Sequence, residues 1–220
     1  MVWKLLQLDG IHWKYGRLGN DAVILEPMIQ EGHLDYIHRL FSILENHQIK
    51  EVTDVVPAYK SVAIFFEGNE SDMFKKIENL NFEAPTDTGS KKKTYEFEVN
   101  YEPGMDWDRV CSITGFSKNE CIERHSKPIY KVAMIGFLPG FIFLEGLDPE
   151  LTVPRLDTPR THIPGGSVGI GGVQTGVYSI ESPGGWNIIG RTGSSLFDVN
   201  NNPPISVKPG DQVKFKPLVE

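Results

Sequence analysis

The sequence is poor in cysteine and in basic residues, and both shortages narrow the range of functions. Two cysteines in 220 residues provide no disulfide framework of the kind found in small secreted proteins. The 22 lysines and arginines are outnumbered by 29 aspartates and glutamates, which gives a net charge of -7. Because nucleic acids and anionic membranes attract basic faces, this balance argues against either as a partner.

Long apolar runs are also missing. No stretch approaches the roughly 20 residues of a membrane-spanning helix, and the apolar run at the amino terminus is too short for a signal peptide. We therefore expect a cytoplasmic protein. A composition of 40% hydrophobic and 23% charged residues is typical of a folded chain, and this length allows two modest domains.

Several catalytic signatures are absent as well. The sequence contains no G-x-x-x-x-G-K-[ST], no G-x-G-x-x-G in a βαβ context and no G-x-S-x-G. It has no H-E-x-x-H and no paired cysteines, and His125 and His162 lie far apart. These absences argue against a standard nucleotide-binding fold, a serine-hydrolase triad and a zinc site.

The first half of the chain predicts a small α+β layer domain over residues 1–90. Apolar residues recur at three- and four-residue steps from Leu34 to Leu44, which indicates a helix with one buried face. Ser71 can cap a second helix in which Phe74 and Ile77 line up. Short apolar, β-branched and aromatic runs predict strands at 2–8, 22–25, 52–56 and 59–66.

A composition break at 81–93 predicts a linker. This segment contains Pro85, Gly89, several small polar residues and a lysine run at 91–93. The lysine run has two interpretations, a docking patch or a solvated loop. The solvated loop is favoured because the run is short and the protein is acidic.

The second half, residues 91–220, predicts a β-barrel domain. Apolar and polar residues alternate from Tyr95 to Val99, as in a strand with one wet face. Two short helices follow: the first begins at Asp106 or Asp108, and the second has capping-box spacing from Ser117. From residue 130 onward, glycine and proline recur between short apolar runs, which is typical of a barrel or sandwich.

The turn-rich segment 136–198 carries the candidate binding residues. Its glycines allow positive φ and close backbone approach to a ligand, although a barrel with many corners also needs them simply to turn. Arg155, Arg160 and Arg191 could offer forked donors to a carboxylate or phosphate, or pair with surface acids. Polar and apolar residues that could orient or enclose a ligand are Ser167, Gln174, Thr175, Ser182, Phe137, Phe141 and Trp186.

The ordered blocks of this segment are similar to those of a known family. That family contains the B subunit of 5-oxoprolinase, allophanate hydrolase subunit 1 and the Kip-type inhibitor of a sporulation kinase. The resemblance is dense over residues 94–218 and looser in the first half, where the blocks at 19–26 and 55–61 match. The blocks that carry it are Gly136–Phe141, Pro164–Gly169, Gln174–Gly176, Ser182–Trp186 and Gly190–Thr192.

The resemblance implies a small α+β domain followed by a cyclophilin-like barrel. It also implies ATP-dependent cleavage of 5-oxo-L-proline to L-glutamate, in which ATP, with Mg²⁺, phosphorylates the lactam oxygen before water attacks. The implied partners are a companion carboxyltransferase-type barrel protein (the C subunit of 5-oxoprolinase) and the ring-opening A subunit. The expected catalytic residues are Arg160, Arg191 and His125, and the expected substrate-binding residues are Phe137, Pro139, Phe141, Arg155, Ser167, Gln174, Thr175, Ser182, Trp186 and Thr192.

Two alternatives stay open at this point. The chain could be a regulatory module that binds a sensor histidine kinase and blocks phosphotransfer, which needs no catalytic residue. It could also serve allophanate or urea metabolism. His125 has a structural interpretation too, since a histidine near a helix end can simply pack or bond to backbone carbonyls.

Overall fold

The computed structural model describes residues 2–82 and 92–218. The chain divides into two compact units, Met1–Lys91 and Lys92–Glu220. Most of the predicted linker, including Lys91 of the lysine run, lies outside the described residues. Within the described ranges, no helix combines the length and apolar character that crossing a membrane requires.

The first unit contains an antiparallel five-stranded sheet in the order β1-β2-β3-β5-β4. The central strands bury one sheet face, as Val23, Leu25, Val62 and Ile64 show, and helix α1 (His33–His47) packs against β3, β4 and β5. The strands are β1 (Lys4–Leu8), β2 (Ile11–Leu18), β3 (Ala22–Pro27), β4 (Val52–Pro57) and β5 (Val62–Phe66).

Strand β2 was not predicted from the sequence. It follows a tight hairpin turn in which Asp9 and Gly10 both have positive φ, 53° and 73°. Asp-Gly is a favoured pair for this kind of turn, so the dipeptide was a signal from which the hairpin could have been predicted.

Two helices belong to the first unit, α1 (His33–His47) and α2 (Glu70–Glu78). The prediction of a helix over 34–44 is confirmed. The predicted cap at Ser71 is wrong, because Asn69 occupies the N-cap position and its side chain accepts hydrogen bonds from the backbone N–H groups of Ser71 and Asp72. Asparagine is a better cap than a serine already inside the first turn.

The second unit is built around a closed barrel of seven strands in the order β10-β11-β8-β7-β14-β6-β13. The predicted α+β class with a barrel is confirmed. The barrel strands are β6 (Thr94–Asn100), β7 (Ile129–Ile135), β8 (Ile142–Glu145), β10 (Ser167–Gly171), β11 (Gln174–Val177), β13 (Asn187–Thr192) and β14 (Gln212–Pro217). A separate two-stranded ribbon is formed by β9 (Arg160–Ile163) and β12 (Ser182–Gly184).

Barrel closure depends on β14, which pairs in parallel with β6 and antiparallel with β7. The buried Asp211 carboxylate fixes this junction, since it accepts hydrogen bonds from the backbone N–H groups of Lys93 (3.0 Å) and Lys208 (2.9 Å). The barrel interior is filled by apolar side chains from nearly every strand, including Val132, Val168 and Phe215.

Helices α3 (Trp107–Thr114) and α4 (Lys118–Ser126) pack beside the barrel. The predicted capping box of α4 is confirmed: Ser117 accepts from the Glu120 backbone, and Glu120 accepts from the Ser117 backbone. Asp106 holds the N-cap position of α3, but its carboxylate makes no capping bond.

Candidate functional site

The turn at Gly165–Gly166, between β9 and β10, needs glycine for steric reasons. Gly166 has a φ of +81°, and a Cβ there would lie 2.3 Å from the carbonyl oxygen of Thr192. Its backbone bonds to Tyr178 on one side and to Thr192 on the other. Glycine therefore lets the turn approach the end of β13 closely.

A cleft of about 460 Å³ opens beside this turn, at the end of β13; we call it the Arg191 cleft. Of the predicted site residues, Arg191 and Thr192 line it. The residues that line it are Asn100, Pro103, Gly165, Gly166, Ser179, Arg191, Thr192, Gly193, Ser194, Ser195 and Leu218.

Arg191 is held by one edge of its guanidinium group. Nε donates to the Gly165 carbonyl oxygen over 2.9 Å, and the side chain is exposed. Among the described residues Arg191 makes no ion pair, and none of the residues that line its cleft is acidic. An anchored guanidinium without a carboxylate partner suits an anionic ligand.

Arg160 lies elsewhere and has a different role. Its two terminal nitrogens bond to the Asp106 carboxylate at 3.0 and 2.5 Å, and the same carboxylate accepts from the Ile188 backbone N–H at 2.6 Å. Asp106 is buried, so the pair ties the β9–β12 ribbon to the start of α3 and to β13. We interpret Arg160 as a clamp on this ribbon rather than as a group free to meet a substrate.

Arg155 is exposed and lies over the ring of Trp186, 5.5 Å from the ring centroid. Trp186 belongs to an aromatic cluster in which Phe141 contacts both Trp186 and Tyr178 edge-on. Burial raises the pKa of Tyr178, and the charges of Arg155 and Arg160 oppose that shift. Arg155 and Arg160 therefore share a neighbourhood around Tyr178, and neither lines the Arg191 cleft.

Phe137 is the most unusual of the predicted apolar residues. It is 65% exposed, and its φ is +70°, a conformation that costs a non-glycine residue free energy. Its ring contacts Phe141 and Tyr178 edge-on. An exposed aromatic ring held in this conformation is consistent with a binding role, because strained residues concentrate at functional sites.

His125, on helix α4, is completely buried, and its ring stacks on Phe215 of the barrel strand β14. The Thr175 hydroxyl donates its proton to the Gly169 carbonyl oxygen, so it must accept the proton of His125 Nε2. The other ring nitrogen, Nδ1, then accepts a hydrogen bond from the Tyr101 hydroxyl. Each of the two hydrogen bonds to the imidazole ring is 2.8 Å long. Burial lowers the pKa of His125 to about 3. His125 and Thr175 are thus both buried and bonded to each other, so in this structure they belong to the core.

The remaining predicted residues are dispersed. Ser167 is buried in β10, and Gln174 begins β11 at the hairpin from β10. In the ribbon, the Ser182 hydroxyl donates a hydrogen bond to the carbonyl oxygen of the next residue, Pro183. The Pro139 carbonyl oxygen accepts a hydrogen bond from the hydroxyl of Ser179, which lines the Arg191 cleft. The predicted residues thus fall into separate groups. Phe137, Phe141, Trp186, Arg155 and Arg160 gather around Tyr178, while Arg191 and Thr192 line the Arg191 cleft.

Sequence reasoning missed four polar residues of the cleft: Asn100, Ser179, Ser194 and Ser195. The signal for Ser194 and Ser195 was their position, since a small polar run follows Arg191 directly. Asn100 had no signal, because it ends a strand about ninety residues earlier and reaches the cleft only through pairing with Arg191. Across the described part of the chain, no group of three or more His, Cys, Asp or Glu side chains could hold a metal ion.

Comparison with known proteins relates this chain to a carboxyltransferase domain family and to B subunits of 5-oxoprolinase. The model of the carboxyltransferase domain, subdomain C and D, matches residues 13–207. The chain is 36% identical to the 5-oxoprolinase B subunit of Escherichia coli O157:H7, over 92% of this chain and 95% of that protein. It is 33% identical to the 5-oxoprolinase B subunit of Bacillus subtilis, over 96% and 95% of the two chains.

A solved structure and a longer enzyme are also similar. The crystal structure of a conserved uncharacterized protein from Pyrococcus horikoshii, PH0987, matches with a TM-score of 0.56 and 38% identity, over 94% of this chain and 98% of that chain. Urea amidolyase of Saccharomyces cerevisiae is 29% identical over 94% of this chain, which corresponds to 13% of the yeast protein.

Proposed function

This chain belongs to the carboxyltransferase domain family, subdomain C and D, and on that premise we propose that it is the B subunit of an ATP-dependent 5-oxoprolinase. The observation that supports the proposal most strongly is similarity over nearly the whole length of both chains to proteins that bear this name. The proposed reaction converts 5-oxo-L-proline and water to L-glutamate.

The chemistry explains why such a reaction is coupled to ATP and shared among several chains. A lactam is a poor electrophile, because its nitrogen donates electron density to the carbonyl group. ATP, when bound in the complex, supplies the phosphoryl group that activates the lactam oxygen. The proposed partners are the companion barrel protein, which is the C subunit, and the ring-opening A subunit.

The part of this chain that can serve the reaction is the Arg191 cleft. Arg191 supplies the charged group of its lining. The guanidinium of Arg160 lies elsewhere and is already paired with the Asp106 carboxylate. The cleft fits one singly charged group. It does not fit a nucleotide triphosphate with Mg²⁺, since none of the described residues that line it is acidic and could hold the ion.

The test is reconstitution with the two partner proteins. We expect ATP-dependent formation of glutamate from 5-oxoproline by the complex, and little turnover by this chain alone. Glutamate release is measured with glutamate dehydrogenase, and reactions without ATP or without one of the three proteins serve as controls. Robust turnover by the purified single chain, or none by the complete complex, would contradict the proposal.

A second candidate rests on the similarity to yeast urea amidolyase. In that case the complex would act on urea or allophanate, and the same preparation supplied with either compound would release ammonia. The kinase-inhibitor hypothesis stays a prediction, since none of these relatives is named for such an activity.

A further inference from the structure

The Arg191 cleft offers hydrogen-bond donors in a setting without negative charge. Besides Arg191, the Ser194 hydroxyl and the Asn100 amide nitrogen line the cleft, and neither bonds to another described residue. Asn100 is oriented by its own oxygen, which accepts from the Glu102 backbone N–H at 2.8 Å. Its amide nitrogen is therefore left to donate to a ligand.

The guanidinium group of Arg191 can neutralise one negative charge on a ligand. Enzymes that handle a nucleotide triphosphate surround it with several cations, usually including Mg²⁺ held by acidic side chains. Among the residues that the structure describes, the lining of the Arg191 cleft includes one cationic side chain and no acidic one. A carboxylate is a planar, singly charged group that fits the forked edge of arginine.

The cleft also has apolar walls for a small ring. Pro103 and Leu218 line it, and Leu218 is half exposed. 5-Oxoproline combines a five-membered ring with a single carboxylate. Its ring can lie against the apolar side chains of Pro103 and Leu218, and its carboxylate can pair with Arg191. The triphosphate of ATP carries several negative charges, and the single guanidinium of Arg191 would leave most of them without a partner.

We propose that the Arg191 cleft binds the carboxylate of 5-oxoproline, and that ATP binds elsewhere in the complex. This inference rests on the proposed function, and it assigns a division of labour that the function alone leaves open. Arg191 is then a substrate-binding residue, with Asn100 and Ser194 as additional donors.

The test compares Arg191→Gln with wild type in the reconstituted complex and in the full chain alone. The KM for 5-oxoproline should rise about 10- to 100-fold, the range expected for losing a charge-assisted bond, while the KM for ATP stays unchanged. Arg124→Gln is the matched control, because it removes a guanidinium of the same unit that is paired with Asp148 and Glu150 outside the cleft. The Arg124→Gln substitution should change neither the KM for 5-oxoproline nor the KM for ATP.

A neutral analogue separates charge recognition from other effects. In NMR titrations of the full chain, Arg191→Gln should weaken the binding of 5-oxoproline by the same factor of about 10 to 100. The binding of 2-pyrrolidinone, which lacks the carboxylate, should stay unchanged. Equal weakening of both ligands, a raised KM for ATP, or no binding of 5-oxoproline by wild type would overturn the inference. Failure of the complex to form glutamate would instead contradict the proposed function, and the titrations would still decide whether the cleft binds the carboxylate.

Discussion

At the residue scale, the three arginines show how one residue type serves different roles. Arg191 presents its terminal nitrogens to a cleft, Arg155 lies over an indole ring, and Arg160 is paired with a buried acid. The sequence could predict three guanidinium groups in a turn-rich segment. It could not predict their partners, because Asp106 lies more than fifty residues before Arg160 and meets it only through the fold.

Arg160→Ala should destabilise the protein by about 2 kcal/mol, because the buried Asp106 carboxylate loses its charged partner. Arg155→Ala should cost less than about 1 kcal/mol, since an exposed cation–π contact contributes little. Urea unfolding followed by circular dichroism measures both. A cost for Arg160→Ala no larger than that for Arg155→Ala would show that the clamp is not a stabilising contact.

His125 should make the stability of the protein depend on pH. Its pKa is about 3 in the folded state and about 6.5 when unfolded, so the unfolded chain takes up the proton first. The stabilisation is complete above pH 6.5 and is lost as the pH falls from 6.5 toward 3. Between pH 7 and 5 this histidine should account for a loss of about 2 kcal/mol in the free energy of unfolding.

A His125→Gln variant tests the assignment, because glutamine is polar but does not titrate in this range. Its free energy of unfolding should be lower than wild type at pH 7 and should change less between pH 7 and 5. An equal loss in the two proteins would mean that another group carries the pH dependence.

At the element scale, glycine positions decide the shape of the cleft. Gly166→Ala should destabilise the protein by at least about 2 kcal/mol, because alanine is strained at φ +81° and its Cβ meets the Thr192 carbonyl. Gly193→Ala is the control for stability, since nothing lies within 4 Å of a Cβ there. Similar unfolding midpoints for the two variants would contradict this account of the turn.

Most elements could be predicted from periodicity, while the cleft could not. The helix at 34–44 and the capping box at Ser117 depend on local patterns, which a sequence shows directly. Strand β2 was missed although Ile11, Trp13 and Tyr15 alternate with polar residues, a pattern that indicates a strand, and the Asp-Gly turn before it was a second signal. The cleft joins residues from β6, the Gly165 turn and the end of β13, so it exists only after the barrel closes.

At the scale of the whole molecule, the barrel class could be predicted and its strand order could not. Recurring glycine and proline predicted many short strands, but nothing local specifies that β14 inserts between β6 and β7. Such pairings are non-local, and they depend on which apolar faces can be buried together. The resemblance to a family provided the barrel type, and the structure provided the location of the cleft.

Because β14 pairs with β6 across 118 residues, the sheet stays open during synthesis until Gln212–Pro217 leaves the ribosome. At about 5–20 residues per second, this interval lasts roughly 6 to 24 seconds. During this interval β6, and later β7 once it has been synthesised, each present an unpaired edge that neighbouring nascent chains can join. Chaperones that shield such edges should therefore raise the yield of native protein.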